Sequence, residues 1–491
     1  MDDAQYQALL SPWKYSSGHL GRVLILGLGK SGKAAFRYCK NLLGTRVDAI
    51  LVAGGASCED SLAFAAENAA EGVEFFFDSY DIVGSWDLCI ASPGIPQFSD
   101  FYDAAAMASR ELISEVEFAW RESTPSSRWI AITGTNGKST TTALTAHILR
   151  SAGKAACAVG NIGDTCIDAV AQGRTDIYVA EVSSYQLAST TYFAPDVAVL
   201  LNITPDHLEW HKSHEEYVKA KMKIFNCLSL IPQSCAILNA SDEGVWQAVN
   251  YLNAKTPEKD GFARVILGDF SGLDKRFEGA TQTAYLRDKN MCFQAADQEF
   301  DFGSIDELRI KGMHNVVNAL AAGISAVLQG VSAAEVAAAL KTFEPLEHRI
   351  EPCGSVGGVA CYNDSKATNS DSTLKALEAF GAGKTVVLLG GYDKGTDLTA
   401  LVRGVEKSCK VAVCFGAAGP RFLEAFGAAS VASFGAKNLK DAFDVALKQA
   451  DFGDVILLSP ACASFDEFEN FEHRGRAFKE LVADEARKRG A

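Results

Sequence analysis

One stretch constrains the fold of this chain more than any other: an apolar run that ends in a Gly-rich turn and continues into a helical pattern. It spans residues 129–141, WIAITGTNGKSTT. A strand, a glycine loop and a helix N-terminus together direct backbone N–H groups and the positive end of a helix dipole towards a phosphate. We therefore predict a nucleoside triphosphate site formed by Gly134, Thr135, Asn136, Gly137, Lys138, Ser139 and Thr140.

In that site Lys138 reaches the β- and γ-phosphates and the Ser139 hydroxyl holds Mg²⁺. Ile132 stands where the strict P-loop has its first glycine, so the motif is a shortened variant. The alternative is a glycine-containing turn before a surface helix.

Chain length, composition and net charge limit the class of protein. A chain of 491 residues is expected to form two to four domains. Hydrophobic residues make up 48% and charged residues 22%, as in soluble globular proteins. A formal net charge of −15 argues against a broad nucleic-acid surface.

The 13 cysteines are scattered and include no Cys-x-x-Cys pair, which is typical of reduced thiols in a cytosolic protein. The N-terminus lacks a signal-peptide pattern, and no apolar run reaches the length of a membrane span. We expect a cytoplasmic protein with neither a nucleic-acid nor a membrane partner.

A second glycine motif lies near the N-terminus. Residues 22–26 predict a buried strand, and residues 27–32, GLGKSG, match the dinucleotide fingerprint G-x-G-x-x-G. That fingerprint requires an acid at the end of the second strand, where this chain has Ala53-Gly54-Gly55. We predict a Rossmann-like unit that binds some phosphate, with NAD as the alternative, followed by a linker at residues 121–128.

After the shortened P-loop, near-continuous apolar strands alternate with helices, which favours a mostly parallel sheet. Ligands of such sheets lie at the carboxyl ends of the strands, where Asn161, Glu181 and His207 fall. Glu181 ends a largely apolar strand beside a Ser-Ser turn. A carboxylate so placed next to a P-loop favours a Mg²⁺ ligand over a surface acid.

A helix predicted over residues 213–228 has one apolar stripe, which includes Tyr217 and Ile224. Lys219 and Lys223 fall on the opposite face, but Lys221 falls within the stripe. A buried lysine must be paired, neutralised or chemically modified. The alternative is that its stem lies along apolar surface while its amine reaches water.

His207, His211 and His214 share a helical face, yet no cysteine or acid completes a familiar zinc set, so we favour no dedicated zinc site. Residues 242–301 contain no pattern from which we predict a catalytic or binding role. From residue 359 strands and helices alternate again, with Lys366 and Lys394 in loops suited to an anionic substrate.

Eight ordered blocks carry a resemblance to the Mur ligase and folylpolyglutamate synthetase superfamily. They are TGTNGKST (133–140), GNIG (160–163), EVSSYQL (181–187), DH (206–207), GMHNVVNA (312–319), HR (348–349), NDSKATN (363–369) and LLSPACASFD (457–466). The shortened P-loop is the family's own pattern. The last two blocks are most similar to the branch that adds D-glutamate.

The resemblance implies three α/β domains: a UDP-substrate-binding Rossmann-like domain (1–121), a central P-loop ATPase-like domain (122–348) and a Rossmann-like amino-acid-binding domain (349–491). It implies an ATP-dependent ligase that joins D-glutamate to UDP-N-acetylmuramoyl-L-alanine through an acyl phosphate, in peptidoglycan precursor synthesis. We expect a monomer.

The resemblance also implies roles for individual residues. Ser139 and Glu181 would hold one Mg²⁺, and His207 with a carbamylated Lys221 would hold the second. The remaining implied contacts fall to ATP (Asn315, Asn318, Arg349, Asp364), a phosphate (Lys366), D-glutamate (Thr368, Lys394, Ser464, Phe471) and the uridine nucleotide with its sugar (Lys30, Ser31, Ser92, Asn161).

Three alternatives remain at this point. The chain could be another amide ligase of the superfamily with a different amino acid, for which Thr368 and Ser464 are the discriminating positions. It could be a nucleotide-dependent switch without ligase activity, or an NAD oxidoreductase. The contacts to uracil are not defined, because Ala53-Gly54-Gly55 offers no polar side chain.

Overall fold

A computed structural model describes Lys14, residues 18–255, 261–268, 282–392, Gly395 and 397–489. The chain divides into two compact units, Met1–Glu307 with Val317–Lys341, and Leu308–Val316 with Thr342–Ala491. In the described ranges, the first unit contains two sheets and the second contains one. Three α/β sheets accord with the predicted fold class, whereas the predicted boundaries at residues 121 and 348 remain predictions.

The first sheet is parallel, with the strand order β3-β2-β1-β4-β5. The Rossmann-like unit expected near the N-terminus is therefore present. Its strands are β1 (Gly21–Leu26), β2 (Val47–Gly55), β3 (Val73–Phe77), β4 (Leu88–Ala91) and β5 (Leu112–Ser114). Its helices are α1 (Lys30–Asn41), α2 (Glu59–Asn68), α3 (Asp100–Ala108) and α4 (Glu115–Glu122). Helix α4 extends into the segment predicted as a linker.

The second sheet has nine strands in the order β14-β13-β12-β11-β10-β9-β6-β8-β7. The strands are β6 (Arg128–Thr133), β7 (Ala156–Gly160), β8 (Ile177–Glu181), β9 (Val197–Leu200), β10 (Cys235–Asn239), β11 (Ala263–Leu267), β12 (Gln282–Arg287), β13 (Asn290–Ala295) and β14 (Gln298–Ser304). Strands β6 to β12 pair in parallel, as predicted, and the last two pairs are antiparallel. That antiparallel edge lies largely within residues 242–301, for which we predicted no function.

The helices that follow these strands are α5 (Lys138–Ser151), α6 (Cys166–Gln172), α7 (Ser184–Ala188), α8 (Leu208–His211), α9 (His214–Met222), α10 (Glu243–Lys255), α11 (Met313–Val327) and α12 (Ala333–Leu340). The helix predicted over 213–228 ends earlier, at Met222, and gives way to a 3₁₀ turn, Lys223–Phe225. The Lys223 amine there donates to the carbonyls of Ala188 and Thr190. Lys223 is therefore half-buried rather than on the exposed face.

The third sheet has the order β15-β16-β20-β17-β18-β19, and only β15 and β16 pair antiparallel. Its strands are β15 (Glu351–Val356), β16 (Val359–Asn363), β17 (Thr385–Gly390), β18 (Cys409–Phe415), β19 (Ala432–Gly435) and β20 (Val455–Leu458). Its helices are α13 (Ser370–Leu377), α14 (Thr399–Ser408), α15 (Gly419–Phe426), α16 (Leu439–Gln449) and α17 (Phe471–Lys488).

The central strands are buried on both faces, which explains their near-continuous apolar sequences. All 13 cysteines are free thiols, as expected from their spacing. Within the described ranges, no helix has the length and apolar character needed to cross a bilayer.

Candidate active site

The shortened P-loop joins β6 to α5 and closes tightly on its surroundings. Gly137 has φ +84°, and a Cβ there would lie 2.6 Å from Oδ1 of Asn318. Only glycine satisfies both that backbone conformation and that close approach. Asn318, predicted to contact ATP, therefore lies directly against the loop.

Helix α5 begins at Lys138 and carries no acid in its first turn, so its N-terminal N–H groups and dipole favour an anion. Ser139 and Thr140 lie buried in that turn. The Lys138 amine donates to the carbonyls of Gly134 and Thr135, both at 2.9 Å. The amine thus lies over the loop, and its contact with a phosphate remains a prediction.

Asn202, just after β9, braces the loop through its side-chain amide. Its Oδ1 accepts from the Asn136 N–H at 2.7 Å, and its Nδ2 donates to the Asn136 carbonyl at 3.0 Å. Thr135 is held by the Thr204 carbonyl at 3.1 Å and by the Tyr217 hydroxyl at 2.8 Å. Asn202 could not be predicted from a local pattern, because its role depends on a partner 66 residues away.

Glu181 is the last residue of β8 and is 2% exposed. Its Oε1 accepts from Nδ2 of Asn161 at 3.0 Å. Two residues predicted at different strand ends are thus in contact. A buried carboxylate at this edge of a parallel sheet is suited to a hard cation such as Mg²⁺.

Lys221 on α9 is 1% exposed, so the interpretation in which its amine reaches water is wrong. Its Nζ donates to the Gly134 carbonyl at 2.8 Å and lies 4.7 Å from the centre of the Tyr217 ring. Burial, with a smaller contribution from the charge of Lys138, lowers the pKa of the Lys221 amine well below its usual value. Lys219, by contrast, is exposed and forms ion pairs with Glu215 and Glu216.

His207 precedes α8 in a left-handed conformation, φ 54°, with its Nε2 3.6 Å from the Asp206 carboxylate. Its ring lies 4.8 Å from that of Tyr185. Lys212 also has a positive φ, 65°, so the helix that would align three histidines is interrupted. His211 is fully buried and hydrogen-bonds to the Ser184 hydroxyl at 2.9 Å.

Among the described residues, one group of three side chains is close enough for a metal: Glu347, His348 and Glu351. The Lys479 ammonium already contacts both carboxylates there, at 3.0 and 2.6 Å.

Three of the four residues predicted for the uridine nucleotide, Lys30, Ser31 and Ser92, lie around the turn between β1 and α1. Ser92 is buried and donates to the Gly27 carbonyl at 3.0 Å. The Lys30 amine donates to the Gly163 carbonyl at 2.6 Å, close in sequence to Asn161. Helix α1 has no acid in its first turn, where Ser31 lies, so its N-terminus is available to a diphosphate.

In the second unit, Asp364 is buried and accepts from the Ser459 hydroxyl at 2.7 Å and from the Ile350 N–H at 3.2 Å. Burial raises the pKa of Asp364 to about 7, although the charge of Arg349 opposes the shift. Asn315 donates to the Lys311 carbonyl at 2.7 Å. Asp364 and Arg349, two of the predicted ATP contacts, therefore lie close together.

Two of the predicted amino-acid contacts, Thr368 and Ser464, lie in loops that one buried arginine connects, and the sequence pattern did not point to that arginine. Arg474 is fully buried and donates to Ser365 and to the carbonyls of Cys462 and Ala463. It thereby ties the loop of Lys366 and Thr368 to the loop of Ser464. The Lys366 amine lies 4.8 Å from the Phe471 ring. Lys394 lies outside the described residues.

Comparison with known families identifies the class. Residues 132–326 match the Mur ligase middle domain, and residues 348–462 match the Mur ligase, glutamate ligase domain. The chain belongs to the Mur ligase family and is an ATP-dependent, ADP-forming ligase.

Two solved structures share the three-domain fold. A MurF ligase from Thermotoga maritima in complex with ADP has a TM-score of 0.56 at 15% identity, covering 97% of this chain and 98% of its own. A pseudomurein peptide ligase type C from Methanothermus fervidus has a TM-score of 0.56 at 17% identity, covering 94% and 99%.

Curated relatives narrow the class to one activity. The UDP-N-acetylmuramoylalanine–D-glutamate ligase of Thermoanaerobacter pseudethanolicus is 36% identical over 94% of this chain and 98% of its own. The ligase of the same name from Alkaliphilus metalliredigens is 37% identical with the same coverage.

Proposed function

We propose that this chain joins D-glutamate to UDP-N-acetylmuramoyl-L-alanine in the cytoplasm, converting ATP to ADP and phosphate during peptidoglycan precursor synthesis. The observation that carries the proposal is the 36% identity, over 94% of the chain, to a ligase of that name. The P-loop and the buried Lys221 beside it support the same activity.

The reaction begins at the carboxylate of the alanine residue, which is a poor electrophile until it is phosphorylated. It takes the γ-phosphoryl group of ATP and becomes an acyl phosphate. The D-glutamate amine then attacks the acyl carbon, the tetrahedral intermediate collapses, and the phosphate leaves as the amide forms. Lys138 and the N-terminus of α5 stabilise the negative charge on the transferred group.

The donor set fits magnesium. Ser139 and Glu181 supply a hydroxyl and a carboxylate, the oxygen ligands that Mg²⁺ prefers. His207 and Lys221 would serve a second ion. Bound Mg²⁺ would neutralise charge on the phosphates of ATP. An unmodified amine is a poor ligand for this hard cation, so Lys221 needs an oxygen.

Lys221 gains that oxygen by carbamylation. The neutral amine attacks the carbon of CO₂, the N–C bond forms as one C=O π bond opens to an oxyanion, and the nitrogen releases its proton to water, which leaves a carboxylate on the side chain. The lowered pKa of Lys221 supports this step, because only the neutral amine is nucleophilic. A ¹³C signal in the carbamate range, present with ¹³C-bicarbonate and missing in Lys221→Met, tests it.

The amino-acid specificity is assigned to Thr368, Lys394, Ser464 and Phe471, with Lys366 on a phosphate. Asn315, Asn318, Arg349 and Asp364 are assigned to ATP, and Lys30, Ser31, Ser92 and Asn161 to the uridine nucleotide and its sugar. We also propose that the chain acts as a monomer.

The experiment is a product analysis by mass spectrometry with ATP, Mg²⁺ and UDP-N-acetylmuramoyl-L-alanine, offering D-glutamate, L-alanine and a diamino acid in competition. We expect only the D-glutamate adduct. Preferential use of another amino acid would place the chain in a different branch of the family.

A further inference from the structure

At the carboxyl edge of the first sheet, one side of the turn between β1 and α1 has room for a nucleobase. A Cβ on Gly27 would lie 3.0 Å from Cβ of Ser92 and 3.1 Å from Cγ1 of Ile95, so the side of the turn towards β4 is filled. On the other side lie the ends of β2 and β3. Neighbouring strands are about 4.8 Å apart, so β3 lies about 10 Å from β1, within reach of the base of a nucleoside diphosphate.

Gly55, the last residue of β2, opens a slot on that side. It has φ +80°, and a Cβ there would find only Cε1 of Phe101 nearby, at 3.8 Å. The Phe101 ring packs against Tyr80 with centroids 5.0 Å apart, and Tyr80 is 59% exposed. Aromatic faces beside an open slot are suited to stacking on a base.

Asp78 brings a carboxylate to the strand end beside Gly55. It directly follows β3, has φ 60°, and its N–H donates to the Gly55 carbonyl at 2.8 Å. Its Oδ1 accepts from the Ser57 N–H at 2.7 Å. Hydrogen bonds from the Ser57 N–H and from the Ser57 hydroxyl lower the pKa of the carboxyl, so Asp78 is an exposed carboxylate, and its remaining lone pairs can accept from a ligand.

We propose that Asp78 selects uracil by accepting a hydrogen bond from its N3–H. Cytosine has no hydrogen at N3, where its lone pair would face the carboxylate. The inference rests on the proposed function, which brings a uridine diphosphate group to the turn between β1 and α1. Asp78 would thus supply the polar side chain that residues Ala53-Gly54-Gly55 lack.

The test compares UDP with CDP by calorimetric titration of the full chain, because the two ligands share their ribose and phosphates. In Asp78→Asn the Oδ1 still accepts from Ser57, but Nδ2 now donates, which suits cytosine N3 and repels uracil N3–H. Asparagine tolerates a positive φ. Asp78→Gly keeps that backbone without any carboxylate, and Asp81→Asn, an exposed residue three positions on, is the control of equal charge change.

We expect the unaltered chain and Asp81→Asn to prefer UDP over CDP by about 10- to 100-fold, the worth of one charged hydrogen bond. Asp78→Gly should lose that preference, and Asp78→Asn should lose or invert it. An unchanged UDP-to-CDP ratio in both Asp78 variants overturns the inference alone. An unaltered chain that does not bind UDP contradicts the proposed function and this inference together.

Discussion

Replacing Lys221 by methionine removes a buried amine while keeping an unbranched side chain of similar length. The amines of Lys138 and Lys221 donate to the same Gly134 carbonyl, so their nitrogens lie within about 6 Å of each other. A charged Lys221 at that separation would be repelled by Lys138 by about 3 kcal/mol at an effective dielectric constant of about 20, so the repulsion adds to burial in favouring the neutral amine, and losing the proton costs free energy. The unmodified Lys221 therefore destabilises the folded state.

We expect Lys221→Met to raise the free energy of unfolding by about 1–3 kcal/mol near pH 7 in CO₂-free buffer. The sign follows from the lowered pKa of the folded-state amine. Between that pKa and 10.5 the unfolded chain binds a proton that the folded chain does not, so the stability of the parent rises with pH. The gain from methionine should shrink as the pH approaches 10.5.

The same variant should lose at least about 10³-fold in kcat, because it cannot form a carbamate. Lys219→Met on the exposed face of the same helix is the matched control and should change neither quantity much. Lys221→Ala, which leaves space, should regain part of its activity with formate or acetate. Near-normal turnover of Lys221→Met would refute the carbamate, and a clear loss of stability would refute the electrostatic argument.

Three further variants test other parts of the account. Lys138→Ala should lose about 10³-fold in phosphate release, and unimpaired formation of the acyl phosphate would contradict its role. Asn202→Leu removes both hydrogen bonds to Asn136 and should raise the KM for ATP about tenfold; an unchanged KM would show that the loop needs no brace. Burial raises the pKa of the Glu115 carboxyl to about 7. Between about pH 4 and 7 the unfolded chain has therefore released a proton that the folded chain still holds, so the unaltered chain loses stability as the pH rises through this range. Glu115→Gln, which can still accept from the Ile167 N–H, should be more stable than the parent at pH 8 and similar to it at pH 5, as thermal unfolding would measure.

The parts of the fold that follow from local patterns could be predicted. The strand, glycine loop and helix around Lys138 are continuous in sequence, and the apolar strands on either side define a parallel sheet. The helical periodicity placed Lys221 within an apolar stripe, and it is buried. In each case neighbouring residues carried the whole signal.

The remaining features depend on partners distant in the chain. Asn202 and Arg474 act through hydrogen bonds to loops that no spacing connects to them. Helix α9 ends at Met222 where Lys223 turns to carbonyls about 35 residues earlier. Asp78 follows an ordinary strand and becomes notable only because Gly55 lies beside it.

Phosphate release with ATP, Mg²⁺ and UDP-N-acetylmuramoyl-L-alanine, measured with D-glutamate, with L-glutamate and with no amino acid, shows which amino acid this chain joins. We expect sustained release only when D-glutamate is added. Equal release with L-glutamate, or with no amino acid, would contradict the assignment of this chain as a D-glutamate ligase.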